Sequence, residues 1–132
     1  MLRRARVRTH IDDRRLFYGA IFPTDHGDVN VIHLYGGALS AWHRHQRQTD
    51  WFFCTRGRVK IGWIGEDWDG GWIILDERQP GPVPIVPRTW HGYQAFDGDA
   101  TLVMWASEHY DPTDEERKSI ADMGVAWDRV PH

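Results

Sequence analysis

The part of this 132-residue chain with the clearest chemical content runs from Gly37 to Gly57. It holds His43, one intervening residue, His45, four more residues and then Asp50. Residues two apart on a β-strand project to the same face, so His43 and His45 point together. After a turn, Asp50 begins the returning strand and can face the same space. His91 comes later, in Pro87-Arg88-Thr89-Trp90-His91. Three imidazoles and a carboxylate that converge suit a divalent first-row metal such as Fe, Mn, Ni or Zn. Neutral imidazole nitrogen and carboxylate oxygen are both good donors to such ions. Without a metal, the same imidazoles titrate in the range a general base needs near neutral pH. Burying one unpaired polar group costs roughly 2–7 kcal/mol, so a same-face pair predicts a cavity that water, metal or ligand fills.

The elements that must position these residues are short apolar or alternating runs separated by turns. Val29 to Tyr35 ends at Gly36-Gly37, Trp51 to Thr55 ends near Gly57, and Val59 to Ile64 ends at Gly65. Trp72 to Leu75 precedes four prolines, and Thr101 to Trp105 follows Asp97-Gly98-Asp99. Strands of this spacing predict an antiparallel barrel or sandwich in a single domain over residues 1–132. One helix is predicted. Thr113 and Glu116 form a capping box, Gly124 supplies the stop, and the helix packs outside the barrel with no chemistry of its own.

Composition sets the outer bounds. A hydrophobic share of 41% with 27% charged residues describes a folded domain. The net charge of −3 gives no drive toward nucleic acid or an anionic membrane. Residues 1–10, with Arg3, Arg4, Arg6 and Arg8, read as a frayed basic terminus. Cys54 is the sole cysteine, so no intrachain disulfide forms; it reads as a small buried hydrophobe. With no spanning apolar stretch and no signal-like h-region, the expected location is cytoplasmic. Of the eight tryptophans, Trp42, Trp51, Trp63, Trp90 and Trp105 read first as core, with Trp42 and Trp90 also candidates for stacking on a sugar. His10, His26, His33, His109 and His132 have no spacing partner.

The Gly37–Gly57 spacing resembles the first motif of the cupins, with Asp50 where Glu is usual. Pro87 to His91 resembles the second, with Arg88 in a Gly position. Within the RmlC-like cupins the chain resembles the dTDP-4-dehydrorhamnose 3,5-epimerases and the dTDP-sugar 3,4-ketoisomerases. Asp12-Asp13-Arg14 is similar to an acidic-Arg-Gly motif of the epimerases. His43-Arg44-His45-Gln46 is similar to the ketoisomerases' His-x-His-Lys, and Tyr35 to their catalytic tyrosine. Ser40 stands where both groups carry Arg, Asp50 at the epimerase lysine, and Met104 at its acid tyrosine. The resemblance implies an antiparallel double-stranded β-helix (the jelly-roll cupin barrel) that forms a homodimer.

The resemblance implies a nucleotide-sugar epimerase or isomerase that needs no cofactor. His43 or His45 would take a proton beside a 4-keto group and Tyr35 would return one. Arg14 and Arg88 would hold the diphosphate, with Trp42 and Trp90 against the sugar. One alternative is a metal-dependent cupin, an oxygenase or another small-molecule isomerase, with His43, His45, Asp50 and His91 as ligands. The other is a non-catalytic sugar-binding cupin.

Overall fold

A computed structural model describes residues 2–129. Met1 and Val130–His132, the ends of the expected domain, lie outside the described residues, and with them His132. The strands are β1 (Arg8–Ile11), β2 (Arg15–Gly19), β3 (Asp28–Leu34), β4 (Leu39–His45), β5 (Asp50–Arg56) and β6 (Arg58–Ile64). They continue as β7 (Gly70–Asp76), β8 (Val83–Ile85), β9 (Trp90–Ala95), β10 (Ala100–Ala106) and β11 (Glu115–Arg117), and α1 spans Ile120–Met123. Two antiparallel sheets form a jelly-roll barrel with one short C-terminal helix, as expected. One sheet runs β1-β2-β3-β10-β5-β8 and the other β11-β4-β9-β6-β7.

Alternation explains the strands. In β3 the pattern Asp28-Val29-Asn30-Val31-Ile32-His33-Leu34 buries every second residue, and β10 does the same. The inward residues of both sheets meet in one core that includes Ile32, Phe52, Cys54, Ile61, Leu75 and Leu102. Burial pushes the Cys54 thiol up, as suits an inert core residue.

A second core lies outside the β4-β9-β6-β7 layer, where Trp42, Ile64, Trp90, Met123 and Trp127 pack together. Gly62 faces Gly92 across the β6–β9 ladder. A Cβ at Gly62 would sit 2.8 Å from the Trp127 ring, so the missing side chain makes room for that indole.

The predicted helix from Thr113 is corrected. Asp111, not Thr113, caps a 3-10 turn at Pro112–Asp114, and Glu115–Arg117 then pairs with His45–His43 as β11. The backbone of β4 offers an open edge there, and a ladder to it outweighs the local capping signal. Only α1 is helical. Ser119 accepts from the Asp122 N–H at 3.0 Å and Gly124 closes the helix in the left-handed region. The basic terminus is also shorter than expected, because β1 pairs with β2 from Arg8 onward.

Candidate functional site

β4 carries an irregularity between Ala41 and His43 where it pairs with β9. The extra residue flips the strand: Ala41 and Trp42 pack outward on the second core, while His43 and His45 turn inward. His91 and Tyr93 project inward from β9, opposite His43 and Ser40. Asp50 enters as the first residue of β5. The rings of His43 and His91 lie 4.1 Å apart, and those of His43 and His45 5.9 Å apart.

One ligand atom each from His43, His45, Asp50 and His91 lies within 4.8 Å of the others. Asp50 is 1% exposed, and its Oδ2 lies 3.1 Å from His91 Nε2 and 3.4 Å from His45 Nε2. Gln48 donates to Asp50 Oδ1 at 2.6 Å. His91 Nδ1 lies 2.9 Å from the Thr89 carbonyl, which only accepts, so that nitrogen carries the proton. In a neutral ring, Nε2 then turns a lone pair toward a carboxylate. A proton or a cation between them resolves that opposition. The donor set therefore fits a first-row divalent ion.

The four groups are driven apart electrostatically. Burial, and then the neighbouring His91, push His43 well below the ordinary imidazole range. Burial also opposes charge on His45, but the Asp50 hydrogen bond and charge, with Glu115 and Asp114, outweigh it and raise its pKa. Burial would favour a neutral Asp50, yet hydrogen bonds from His45 and His91 hold its carboxyl far below the usual range. The result is a neutral imidazole beside an ion-paired one, the separation that assigns base and support roles.

His43, His45 and Asp50 line a cavity of about 430 Å³. Its wall carries Arg8, Arg14, Arg15 and Arg117 together with Tyr93 and Met104. Arg15 donates from Nη1 to the Tyr93 hydroxyl. Arg14 lines the cavity while paired to Asp12 at 3.0 Å.

Other candidates sit elsewhere. Tyr35 is 38% exposed beyond the end of β3 and does not line the cavity. Arg88 turns away to Glu66, 2.9 Å off. Trp42 and Trp90 are core residues of the outer cluster, so neither is a sugar platform in the main cavity. Arg44 stacks on the Trp90 ring at 4.5 Å.

Sequence reasoning missed Tyr93, Arg15, Gln48 and Asp114. Asp114 is 4% exposed, and its carboxylate accepts the backbone N–H groups of Gln46, Arg47 and Gln48. It thus fixes the turn that carries His45 into Asp50. No spacing rule could find it, since it comes from the 3-10 turn before β11. Glu115 and Arg117, assigned no chemistry as helix residues, line the cavity as strand residues.

The family described as "FdtA: WxcM-like, C-terminal" matches residues 31–122, which hold all four clustered groups. This chain belongs to that family. Among curated relatives, this WxcM-like chain is 29% identical over 94 residues to the "Probable low-salt glycan biosynthesis epimerase Agl13" of Haloferax volcanii, covering 65% of the chain and 60% of the relative. It is 28% identical over 93 residues to the dTDP-4-dehydrorhamnose 3,5-epimerase of Mycolicibacterium smegmatis, covering 64% of the chain and 45% of that protein. The barrel also matches the capsular polysaccharide assembling protein CapF of Staphylococcus aureus. The TM-score is 0.77 at 23% identity, over 86% of this chain and 32% of that one. Oxalate decarboxylase of Lactobacillus farciminis matches at a TM-score of 0.72 and 13% identity, over 92% of this chain and 37% of that one. The last two are likenesses of fold. Among the described residues, no helix is long and apolar enough to cross a membrane.

Proposed function

We propose that this chain is an isomerase or epimerase of nucleotide sugars that moves a proton on a carbon beside a keto group. The observation that carries the reading is a desolvated, neutral His43 in the same cavity as the Arg15-held Tyr93 hydroxyl. Family membership and two relatives named as epimerases support it.

The carbon-bound proton passes to His43, and the electron pair it leaves moves onto the ketone oxygen as an enolate. The Arg15 guanidinium and the Tyr93 hydroxyl are the donors at hand for that oxygen. Reprotonation at the original carbon from the other face gives an epimer. Reprotonation at the neighbouring carbon, after proton transfer between the oxygens, gives a ketoisomer. Tyr93 takes the acid role that the resemblance gave to Tyr35. The His45–Asp50–His91 group holds the base in place. Arg8, Arg14 and Arg117 at the mouth offer charge for a diphosphate, in place of Arg88. The cytoplasm, where nucleotide sugars are made, is the matching location.

The test is proton NMR of several dTDP-4-keto-6-deoxyhexoses incubated with the chain in heavy water. Carbon-bound deuterium next to the ketone is expected. Its absence with every sugar, from folded protein, overturns the reading; saturable binding without exchange would mark a non-catalytic sugar-binding protein instead.

The inward lone pair of His91 and the Asp50 contact favour one second reading, a metal-dependent cupin. His43, His45, Asp50 and His91 would hold Fe, Mn, Ni or Zn, and a bound ion would supply a Lewis acid to polarise a substrate oxygen. Elemental analysis of protein purified without chelator decides it. A stoichiometric ion lost in His43→Ala supports this reading, and a substoichiometric trace contradicts it.

A further inference from the structure

The position of His43 is set partly from outside the barrel. Trp42 immediately precedes it and points the opposite way, so a roll of β4 that displaces one ring displaces the other. Trp42 is 2% exposed, yet its indole N–H has no hydrogen-bond partner. Its backbone is tied to Lys118, the N–H to the carbonyl at 2.9 Å and the carbonyl to the N–H at 3.0 Å. Its ring is held by packing, and Trp127 supplies one side of that packing, with ring centroids 5.3 Å apart at 58°.

Trp127 in turn is fixed to the two strands beneath it. Its indole N–H donates to Gln94 Oε1 on β9 at 2.9 Å. Its carbonyl accepts from Lys60 Nζ on β6 at 3.0 Å, and the same ammonium lies 5.1 Å from its ring. The ring rests over Gly62, where a Cβ would be 2.8 Å away. Gly92 makes the matching allowance for β4, since a Cβ there would lie 2.5 Å from Ala41 Cβ. Both glycines let the β4 irregularity and the Trp42–Trp127 pair settle onto β9 and β6. The strand that bonds Trp127 through Gln94 also carries His91, whose ring lies 4.1 Å from His43.

We propose that Trp127 is a positioning residue: bonded to β9 and packed on Trp42, it fixes the angle at which β4 presents His43. Trp127 does not line the cavity, so its effect must pass through Trp42. Proton transfer is sensitive to such an effect, because a misplacement of about 1 Å can cost about 100-fold in rate. The proposal rests on the reading of His43 as the base, although the contacts from Trp127 to Trp42 stand without it.

Two measurements on the full chain test it, with Trp127→Ala, Trp127→Phe and, as a control in the inner core, Leu102→Ala. The first needs no substrate: the imidazole proton resonances of His43, assigned by their absence from His43→Gln. Trp127→Ala should shift or split them. Trp127→Phe, which keeps a ring over Gly62, should return them toward wild type, and Leu102→Ala should leave them in place. The second is deuterium exchange into a nucleotide-linked 4-keto sugar. Trp127→Ala should lower kcat by about 10–100-fold in the folded fraction with KM nearly unchanged, a split that lost stability alone does not produce. Unmoved His43 resonances in folded Trp127→Ala, equal movement in Leu102→Ala, or an unchanged kcat overturns the proposal. A wild type that exchanges no deuterium removes the proposed function and leaves the resonances to decide this inference. Should Trp127→Ala fail to fold, Gly62→Ala takes its place, since the added methyl displaces the Trp127 ring. His43 resonances unmoved in that variant overturn the proposal as well.

Discussion

The barrel interior changes character along β3, β5 and β9, and its two ends follow different rules. On β3 the inward positions run from Asp28 and Asn30 to Ile32 and Leu34, and on β5 from Asp50 to Phe52 and Cys54. On β9 they run from His91 through Tyr93 to Ala95. The apolar end is stabilised by removing hydrocarbon from water, which needs no particular partner. At the polar end a buried group needs a specific one, and the structure supplies several: Gln48 for Asp50, Thr89 for His91, Arg15 for Tyr93, while His45 Nδ1 and Arg15 Nε have no hydrogen-bond partner. The apolar end therefore holds the frame in which the polar end can keep a desolvated base.

Substitutions at the two ends should separate stability from chemistry. The largest effect is expected for His43→Ala. It should lower the rate of deuterium exchange by about 10²–10⁴-fold, as for loss of a general base, while the thermal midpoint barely moves. Equal loss of midpoint and rate would show that His43 is a core residue. Phe52→Ala, at the start of the apolar end, should cost about 3–5 kcal/mol in urea unfolding because the cavity cannot collapse. A cost near zero would mean this core is not close-packed.

Asp114→Ala sits between the two rules. It leaves backbone N–H groups of the β4–β5 turn without an acceptor and should cost about 1–3 kcal/mol. The rate should fall further than that instability explains, because the turn positions His45 and Asp50. A normal kcat in the folded fraction would detach the turn from the chemistry.

The smallest effect concerns His109, whose Nδ1 lies 2.8 Å from the cavity-lining Asp28. The Asp28 hydrogen bond raises the His109 pKa above 6.5, helped by the Asp25 carbonyl. Any stability from the pair is thus complete below pH 6.5 and lost as pH rises through the folded value. NMR titration should place His109 above 6.5 in wild type and return it toward 6.5 in Asp28→Asn. An unchanged titration would deny the coupling.

How much of this was legible in the sequence depends on how local each signal is. β3, β5, β6, β7 and β10 follow from alternation, and the same-face pair His43 and His45 follows from a spacing of two. Even so, that pair faces inward only because of the extra residue in β4, which spacing does not reveal. β2 went unseen because Arg15-Leu16-Phe17-Tyr18 has no clean alternation, and with it went the Arg15 contact to Tyr93. Tyr93 becomes a site residue through the register of β9 against β4, a long-range fact. Tyr35 and Arg88 show the converse. Each has the right residue type beside a motif, and the backbone carries both away from the cavity.

The central claim is that His43 acts as a base without needing a metal. Its most direct test is deuterium wash-in next to the ketone of a nucleotide-linked 4-keto sugar, comparing chelator-treated wild type with chelator-treated His43→Gln. Exchange retained in the stripped wild type and lost in the folded variant is the predicted result. Exchange that disappears on stripping and returns with an added divalent ion, or that survives in His43→Gln, would contradict it.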